Sequence, residues 1–162
     1  MTDIRRLPLL LFAASAAVLA IAWASQIWGR LLPCELCLYD RWPYYAALAL
    51  GAVALLAGRR RVSAAALALA ALVFIAGAGL AFYHVGVEHH WFAGPSACTS
   101  GGPASSLEEF KRRLLAQQPV ACDQPEWSLF GVTLAGFDLL VALALVLFCL
   151  WALRRIMLGR EA

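Results

Sequence analysis

Four long apolar segments, separated by short polar ones, dominate the hydrophobic pattern of this chain. They cover residues 7–28, 42–58, 62–84 and 130–153, and Asp138 is the one Asp, Glu, Lys or Arg within them. Each segment is close to the roughly 20 residues that a helix needs to cross the hydrocarbon core of a bilayer. We therefore predict an all-α membrane protein, a single domain built as a bundle of four transmembrane helices.

The composition supports a membrane protein. The 162 residues are 63% hydrophobic and 14% charged, whereas soluble domains are roughly 45–50% apolar and about 25% charged. Arg5 and Arg6 precede the first segment, as they would in a signal peptide. That segment exceeds the roughly 7–15 residues of a signal core, however, and further spans follow it. We therefore interpret it as the first transmembrane helix.

The distribution of arginine predicts the orientation in the membrane. Most basic residues fall on one side of a four-span chain, namely Arg5, Arg6, Arg59, Arg60, Arg61, Arg154, Arg155 and Arg160. Short loops rich in Lys and Arg stay in the cytoplasm. Both termini are thus predicted to be cytoplasmic, and the loops 29–41 and 88–127 lie on the outer face. Since topology accounts for the formal charge of +3, no nucleic-acid partner is predicted.

Four of the five cysteines fall in the two outer loops. Cys34 and Cys37 form a C-x-x-C motif in the first loop, Cys98 and Cys122 lie in the second, and Cys149 lies inside the fourth segment. A bridge between Cys34 and Cys37 closes almost no loop and would stabilise little, so this motif is typical of a redox-active pair. A bridge between Cys98 and Cys122 would contribute roughly 3 kcal/mol as a structural staple.

A zinc site made from the four outer cysteines is an alternative. Structural zinc usually takes closely spaced C-x-x-C halves. Cys98 and Cys122 are 24 positions apart and form no such half. We therefore predict no metal site.

Arg41 follows the C-x-x-C motif by four positions. In a continuous helix, spacings of three and four place Cys34, Cys37 and Arg41 on one face, with the guanidinium beside a sulfur or a bound anion. Pro43 instead favours the first turn of a new helix. The second span would then begin near Trp42, with both thiols in the preceding turn, and the sequence allows either arrangement.

The long outer loop contains one predicted helix. Ser105 or Ser106 can cap it, and an apolar face follows at Leu107, Phe110, Leu114 and Leu115. We expect this helix to lie on the bilayer surface in contact with membrane lipid, and packing against the bundle is an equal alternative. His89 and His90 precede this region. Adjacent histidines do not share a helix face, so one of them is a candidate proton donor near a thiolate.

The arrangement of these residues resembles the DsbB family, the disulfide bond formation proteins of bacterial inner membranes. The resemblance rests on Pro33, Cys34, Cys37, Tyr39 and Arg41, on Cys98 in the long loop, and on Cys122 followed by Trp127. It implies a four-helix inner-membrane bundle with periplasmic cysteine loops. The implied enzyme is a protein dithiol:quinone oxidoreductase, which reoxidises a periplasmic DsbA-type thiol oxidase and passes the electrons to a membrane quinone, either ubiquinone or menaquinone.

The resemblance also implies a role for each cysteine of the outer loops. Cys98 would form the mixed disulfide with the partner, and Cys122 would resolve it. Cys34 would exchange with the loop pair through Cys122. Cys37 would then be the thiolate in contact with the quinone.

Two further residues match the quinone-binding positions of the family. These are Arg41 and His89, and the neighbouring His90 leaves the register of the histidine open. Two alternatives to this enzyme remain. A vitamin K epoxide reductase-like protein would carry its C-x-x-C motif in a late span, and a non-catalytic tetraspan scaffold would use the same cysteines as structural disulfides.

Overall fold

A computed structural model describes residues 3–95, 108, 121–125 and 127–158. The described chain is mostly helical. Its elements are α1 (Asp3–Ile27), α2 (Glu35–Tyr39), α3 (Trp42–Ala57), α4 (Arg60–Glu88), β1 (Ser128–Leu129), β2 (Val132–Thr133) and α5 (Leu134–Leu158). The apolar face predicted for the interfacial helix lies outside the described residues, so that helix stays a prediction.

Three of the described helices are long and apolar enough to cross a membrane, and these are Ile4–Ile27, Arg60–Glu88 and Leu134–Leu158. Helix α3 has 16 residues, or about 24 Å at 1.5 Å per residue. The hydrocarbon core of a bilayer is about 30 Å thick. The prediction of a mostly helical chain with several membrane-spanning candidates is therefore confirmed, whereas the count of four spans stays a prediction.

Helix α4 is central in the packing of the four long helices. It contacts α3 on one side and α5 on another, while α1 packs on α3. Apolar side chains fill the interior, among them Leu11, Leu67, Phe74 and Cys149. Small residues let the backbones approach closely, as is typical of helices that pack within membranes. At Gly77 the approach is so close that an added Cβ would lie 2.6 Å from Pro43 Cγ.

The end of the bundle that carries the arginine-rich turn is closed by polar side chains acting on backbone carbonyls. The Arg60 guanidinium donates to the carbonyls of Ile156 and Met157, in the last turn of α5. The Ser63 hydroxyl donates to the Ile4 carbonyl at 3.2 Å. A cation is favourable at a helix C-terminus, where the last carbonyls have no partner within the helix.

At the opposite end a tight hairpin leads into α5. Strands β1 and β2 are antiparallel, and the turn residues Phe130 and Gly131 both have positive φ angles, 52° and 81°, as a two-residue type I′ turn requires. Thr133 then caps α5, since its Oγ1 accepts the Gly136 N–H at 3.1 Å. Helix α5 therefore begins at Leu134, four residues after the start of the predicted 130–153 span.

Candidate active site

The C-x-x-C motif lies at the start of the short helix α2. Cys34 precedes the helix with an extended backbone (φ −70°, ψ 170°), and its sulfur accepts the Cys37 N–H at 3.2 Å. The two sulfur atoms are 2.7 Å apart, and both thiols are free. A disulfide bond needs about 2.05 Å between its sulfurs. The pair can therefore interconvert between dithiol and disulfide with little movement.

The hydrogen bonds of the pair converge on the Cys34 sulfur. The Cys37 thiol and the Cys37 backbone N–H are both hydrogen-bonded to it, and these bonds lower the pKa of Cys34 against the opposing effect of burial. The pKa of Cys37 is raised, first by the same thiol–thiol hydrogen bond and then by partial burial. In the dithiol form, Cys34 is thus the sulfur that holds negative charge more readily.

His84 lies beside this pair and was missed by the sequence analysis. Its Nε2 atom is 3.6 Å from Cys34 Sγ, and its Nδ1–H donates to Asp40 Oδ2 at 2.6 Å. The histidine is only 2% exposed. It lies 50 positions from Cys34 along the chain, so no local motif joins them. A polar residue within an apolar segment was the available signal, since such residues are costly to bury in a membrane and mark functional sites.

Arg41 is held at the mouth of the site by two side chains of α1. Its guanidinium donates to Gln26 Oε1 at 3.1 Å and lies 5.5 Å from the centroid of the Trp23 ring. Arg41 belongs to the turn between α2 and α3, because α3 begins at Trp42. The separate helix start that Pro43 favours is the arrangement observed.

A second polar pair, which is partly buried, faces the same region. The Tyr44 hydroxyl, in the first turn of α3, donates to Asp138 Oδ1 in α5 at 2.7 Å. Nearby, Glu88 at the end of α4 accepts a 2.5 Å hydrogen bond from the Thr133 hydroxyl. These bonds connect α3 to α5 and α4 to the cap of α5. Buried polar groups that are paired in this way hold the surrounding helices in one arrangement.

The thiol pair, His84, Arg41 and most of their polar neighbours line one cavity of about 490 Å³. Apolar side chains of α1 and α5 and of the loops form most of its lining. The polar or sulfur-bearing residues in the lining are Ser25, Cys34, Cys37, Asp40, Arg41, Tyr44, His84, Glu88, Cys122, Gln124 and Asp138. A mostly apolar pocket with a few convergent polar groups is typical of a small-molecule site.

Cys122 joins the site from the second outer loop. It is disulfide-bonded and 2% exposed, and it belongs to a buried cluster with Cys34, Leu36 and Val87. Residue 98 lies outside the described residues, so the role of Cys98 and its pairing with Cys122 stay predictions. The structure therefore brings three of the four cysteines of the outer loops to one place.

His89 occupies a different position from the other residues predicted for the site. It follows the last residue of α4, is exposed, and stacks on Trp91 with 5.0 Å between ring centroids. It is absent from the cavity lining, whereas His84 lies in it. A role for His89 with a quinone stays a prediction.

Three atoms of the site are close enough to hold a metal ion. Cys34 Sγ, Cys37 Sγ and His84 Nε2 lie within 4.8 Å of one another.

A free thiol pair beside a disulfide-bonded cysteine, in a helical membrane protein, is typical of membrane thiol oxidoreductases. The model of the family "Disulfide bond formation protein DsbB" matches residues 4–152. The chain therefore belongs to the DsbB family.

A relative in Rickettsia prowazekii (strain Madrid E), named "Uncharacterized protein RP370", is 25% identical over 145 residues. The alignment covers 88% of this chain and 83% of the relative. No solved structure matches the chain significantly. Family membership makes the chain a membrane oxidoreductase of disulfide bond formation that acts on thiols.

Proposed function

We propose that this chain is a protein dithiol:quinone oxidoreductase of the bacterial inner membrane. It reoxidises a periplasmic DsbA-type thiol oxidase and passes the electrons to ubiquinone or menaquinone. The observation that carries the proposal is that the Cys34–Cys37 pair and the disulfide-bonded Cys122 line the same apolar cavity. A thiol relay needs sulfur atoms that can exchange, and a lipid-soluble acceptor needs an apolar site beside the last of them.

The proposed relay runs from the second outer loop to the first. The reduced partner attacks the loop disulfide at Cys98, which leaves Cys122 as a thiolate. Cys122 then attacks Cys34 in its disulfide with Cys37, and Cys37 leaves as the thiolate that faces the cavity. The second thiol of the partner attacks the mixed disulfide, which releases the oxidised partner and the Cys98 thiolate. Cys98 attacks Cys122, re-forms the loop disulfide and frees Cys34 as a thiolate. Each step is thiolate attack on a disulfide sulfur. The presence of Cys34 and Cys122 in one buried cluster supports the exchange between them.

The cavity suits a quinone in volume and in chemistry. Its size falls within the roughly 300–1,000 Å³ of small-molecule sites, and the Arg41 guanidinium can donate to a carbonyl oxygen. His84 Nε2 can do so when the imidazole is doubly protonated, since its Nδ1–H already donates to Asp40. Asp40 also lines the cavity, and its Oδ1 has no hydrogen-bond partner among the described residues. A quinone accepts two electrons and two protons. The Cys34 and Cys37 thiols release two electrons and two protons when they re-form their disulfide.

The proposed topology keeps four spans, with α3 as the second. Helix α3 falls short of the hydrocarbon thickness, yet the turn at Asp40 and Arg41 and helix α2 extend it toward the outer surface. Both termini and the arginines of residues 59–61 face the cytoplasm. The thiol pair then lies at the outer edge of the membrane, where a water-soluble partner and a lipid-soluble acceptor can both reach it.

The test follows quinone absorbance after a reduced DsbA-type dithiol is added to purified protein. Loss of the oxidised quinone signal is expected in the wild type, and Cys37→Ser should abolish it. If the signal persists with a competent partner and bound quinone both present, the cysteines are structural staples of a scaffold and the proposal fails.

A further inference from the structure

The dithiol form of the site contains three metal-ligating atoms in one place. Cys34 Sγ, Cys37 Sγ and His84 Nε2 all lie within 4.8 Å of one another. We propose that this form binds one thiophilic divalent cation of the Zn²⁺ class through these three atoms. Thiolate and imidazole are the ligands that zinc prefers, and two cysteines with one histidine are an established three-ligand set for it.

The measured distances suit this cation. Zinc–sulfur bonds are about 2.3 Å and zinc–nitrogen bonds about 2.0 Å, so tetrahedral angles place a sulfur and a nitrogen ligand about 3.6 Å apart. The Cys34 Sγ to His84 Nε2 distance is 3.6 Å. Two sulfur ligands need about 3.8 Å, whereas those of Cys34 and Cys37 are 2.7 Å apart. Cys37 lines the cavity and is only half-buried, so it has room to open that distance by about 1 Å.

Asp40 prepares the histidine for this role. Its Oδ2 accepts the Nδ1–H of His84 at 2.6 Å, which leaves the lone pair of Nε2 directed at the thiols. A histidine that ligates a metal usually donates its other ring N–H to a carboxylate or carbonyl in this way. The fourth position of the cation would open on the cavity, where a water molecule completes the tetrahedron.

The site exists in one redox state only. Binding replaces the protons of both thiols, so two protons leave for each cation bound. Disulfide formation between Cys34 and Cys37 removes two of the three ligands and expels the cation. A bound cation in turn withholds both sulfur atoms from exchange and so inhibits turnover. The inhibition rests on the proposed function, whereas the binding does not.

The test uses Cd²⁺ as a spectroscopic probe for Zn²⁺, on full-length protein in detergent without quinone or partner. Cys98→Ser and Cys122→Ser remove the competing thiols of the second loop. We expect one Cd²⁺ for each reduced protein, a sulfur-to-cadmium charge-transfer band, and loss of both after chemical oxidation of the pair. Binding of equal strength to the oxidised protein, or no binding to the reduced one, would overturn the proposal.

Substitutions at His84 and Asp40 distinguish a three-ligand site from binding by the two thiols alone. His84→Gln should weaken Cd²⁺ binding at least tenfold, and Asp40→Asn roughly 10- to 100-fold, as loss of an outer-sphere partner does. His90→Asn and Cys149→Ala are the matched controls and should bind as the parent does. Affinity unchanged in both test variants would mean that the thiols act alone, against the proposal.

X-ray absorption of the zinc-loaded parent decides the ligand set without any change at His84, in case that variant does not fold. Two sulfur ligands and one imidazole are expected. A spectrum without imidazole would refute the site. Quinone reduction by metal-free protein is measured separately, so failure of the proposed function and failure of the cation site are distinguishable.

Discussion

Cys34 and Cys149 are both almost fully buried, yet their surroundings differ completely. Cys34 Sγ is hydrogen-bonded to the thiol and to the backbone N–H of Cys37 and lies 3.6 Å from a histidine ring nitrogen. Cys149 lies in the apolar core with residues such as Leu67 and Phe74. The same side chain is thus a hydrogen-bonded thiol beside a histidine at one end of the bundle and a small apolar residue in its middle. The neighbouring side chains, rather than the degree of burial, therefore distinguish the two cysteines.

The same contrast holds for the two regions as a whole. The apolar core consists of leucine, alanine and aromatic side chains, with few polar atoms to satisfy. The cavity end gathers Asp40, Tyr44, His84 and Asp138 into pairs. Buried polar groups cost free energy unless they are hydrogen-bonded. The polar groups that line this cavity mark it as the candidate active site, and four pairs of substitutions test the contrast between the two regions.

The largest effect is expected when a cysteine is removed from each region. Cys34→Ser leaves Cys37 without a bonding partner, so turnover with a reduced DsbA-type dithiol should fall to the background rate. Cys149→Ala removes a thiol that contacts only apolar neighbours, and its rate should stay within about twofold of the wild type. Quinone absorbance measures both. A large loss of turnover in Cys149→Ala, with folding intact, would contradict the assignment of Cys149 as a packing residue.

A smaller effect is expected from Arg41→Ala. A hydrogen bond from a charged donor contributes about 1.5–3 kcal/mol, so the KM for quinone should rise roughly 10- to 100-fold. Formation of the mixed disulfide with the partner should change little. Arg30→Ala is the matched control, because Arg30 is an exposed arginine of the same loop outside the cavity lining. Equal effects of the two substitutions on KM would contradict a role for Arg41 in the cavity.

The sequence predicted the helical membrane character well, because apolar segments of this length have few other structures available to them. It also pointed to Cys34 and Cys37, because the spacing of a C-x-x-C motif is a local feature, and to Arg41, four positions after Cys37. Cys122 was singled out as a cysteine between apolar segments. The roles of these residues stay predictions. The cavity lining includes all four of these residues.

The partners that come from distant positions could not be predicted in this way. His84 reaches Cys34 across 50 positions, and Tyr44 reaches Asp138 across 94. Only the packing of α3, α4 and α5 brings these pairs together. The hairpin before α5 was missed as well, because its turn depends on a positive φ angle at Phe130, a residue type that rarely adopts one.

Tyr44→Phe tests the second polar pair through stability. The substitution removes the donor to Asp138 Oδ1 but keeps the ring, which packs edge-on against Phe74 with 5.4 Å between centroids. A buried acceptor left without its donor costs about 1–3 kcal/mol, so the free energy of unfolding in detergent should fall by that amount. Tyr45→Phe is the control and should stay within about 0.5 kcal/mol, because the hydrogen bond that Tyr45 accepts from Trp23 is exposed. Equal losses would mean that the Tyr44 pair is hydrated rather than buried.

The smallest effect concerns the contact that holds α3 against α4 next to the cavity. A Cβ at Gly77 would lie 2.6 Å from Pro43 Cγ, whereas one at Gly79 would have no neighbour within 4 Å. Both alanines gain up to about 1 kcal/mol of helix propensity, so the difference between the two variants isolates the clash. We expect Gly77→Ala to be less stable than Gly79→Ala by about 1–2 kcal/mol, the low end of overpacking costs, since Pro43 stands in the first turn of α3 and can shift.

A shift of Pro43 would also move Tyr44, the next residue, which lines the cavity. The decisive comparison is therefore whether Gly77→Ala, unlike Gly79→Ala, also weakens quinone binding. If both variants bind quinone equally while their stabilities differ, the position of α3 matters for packing but not for the cavity.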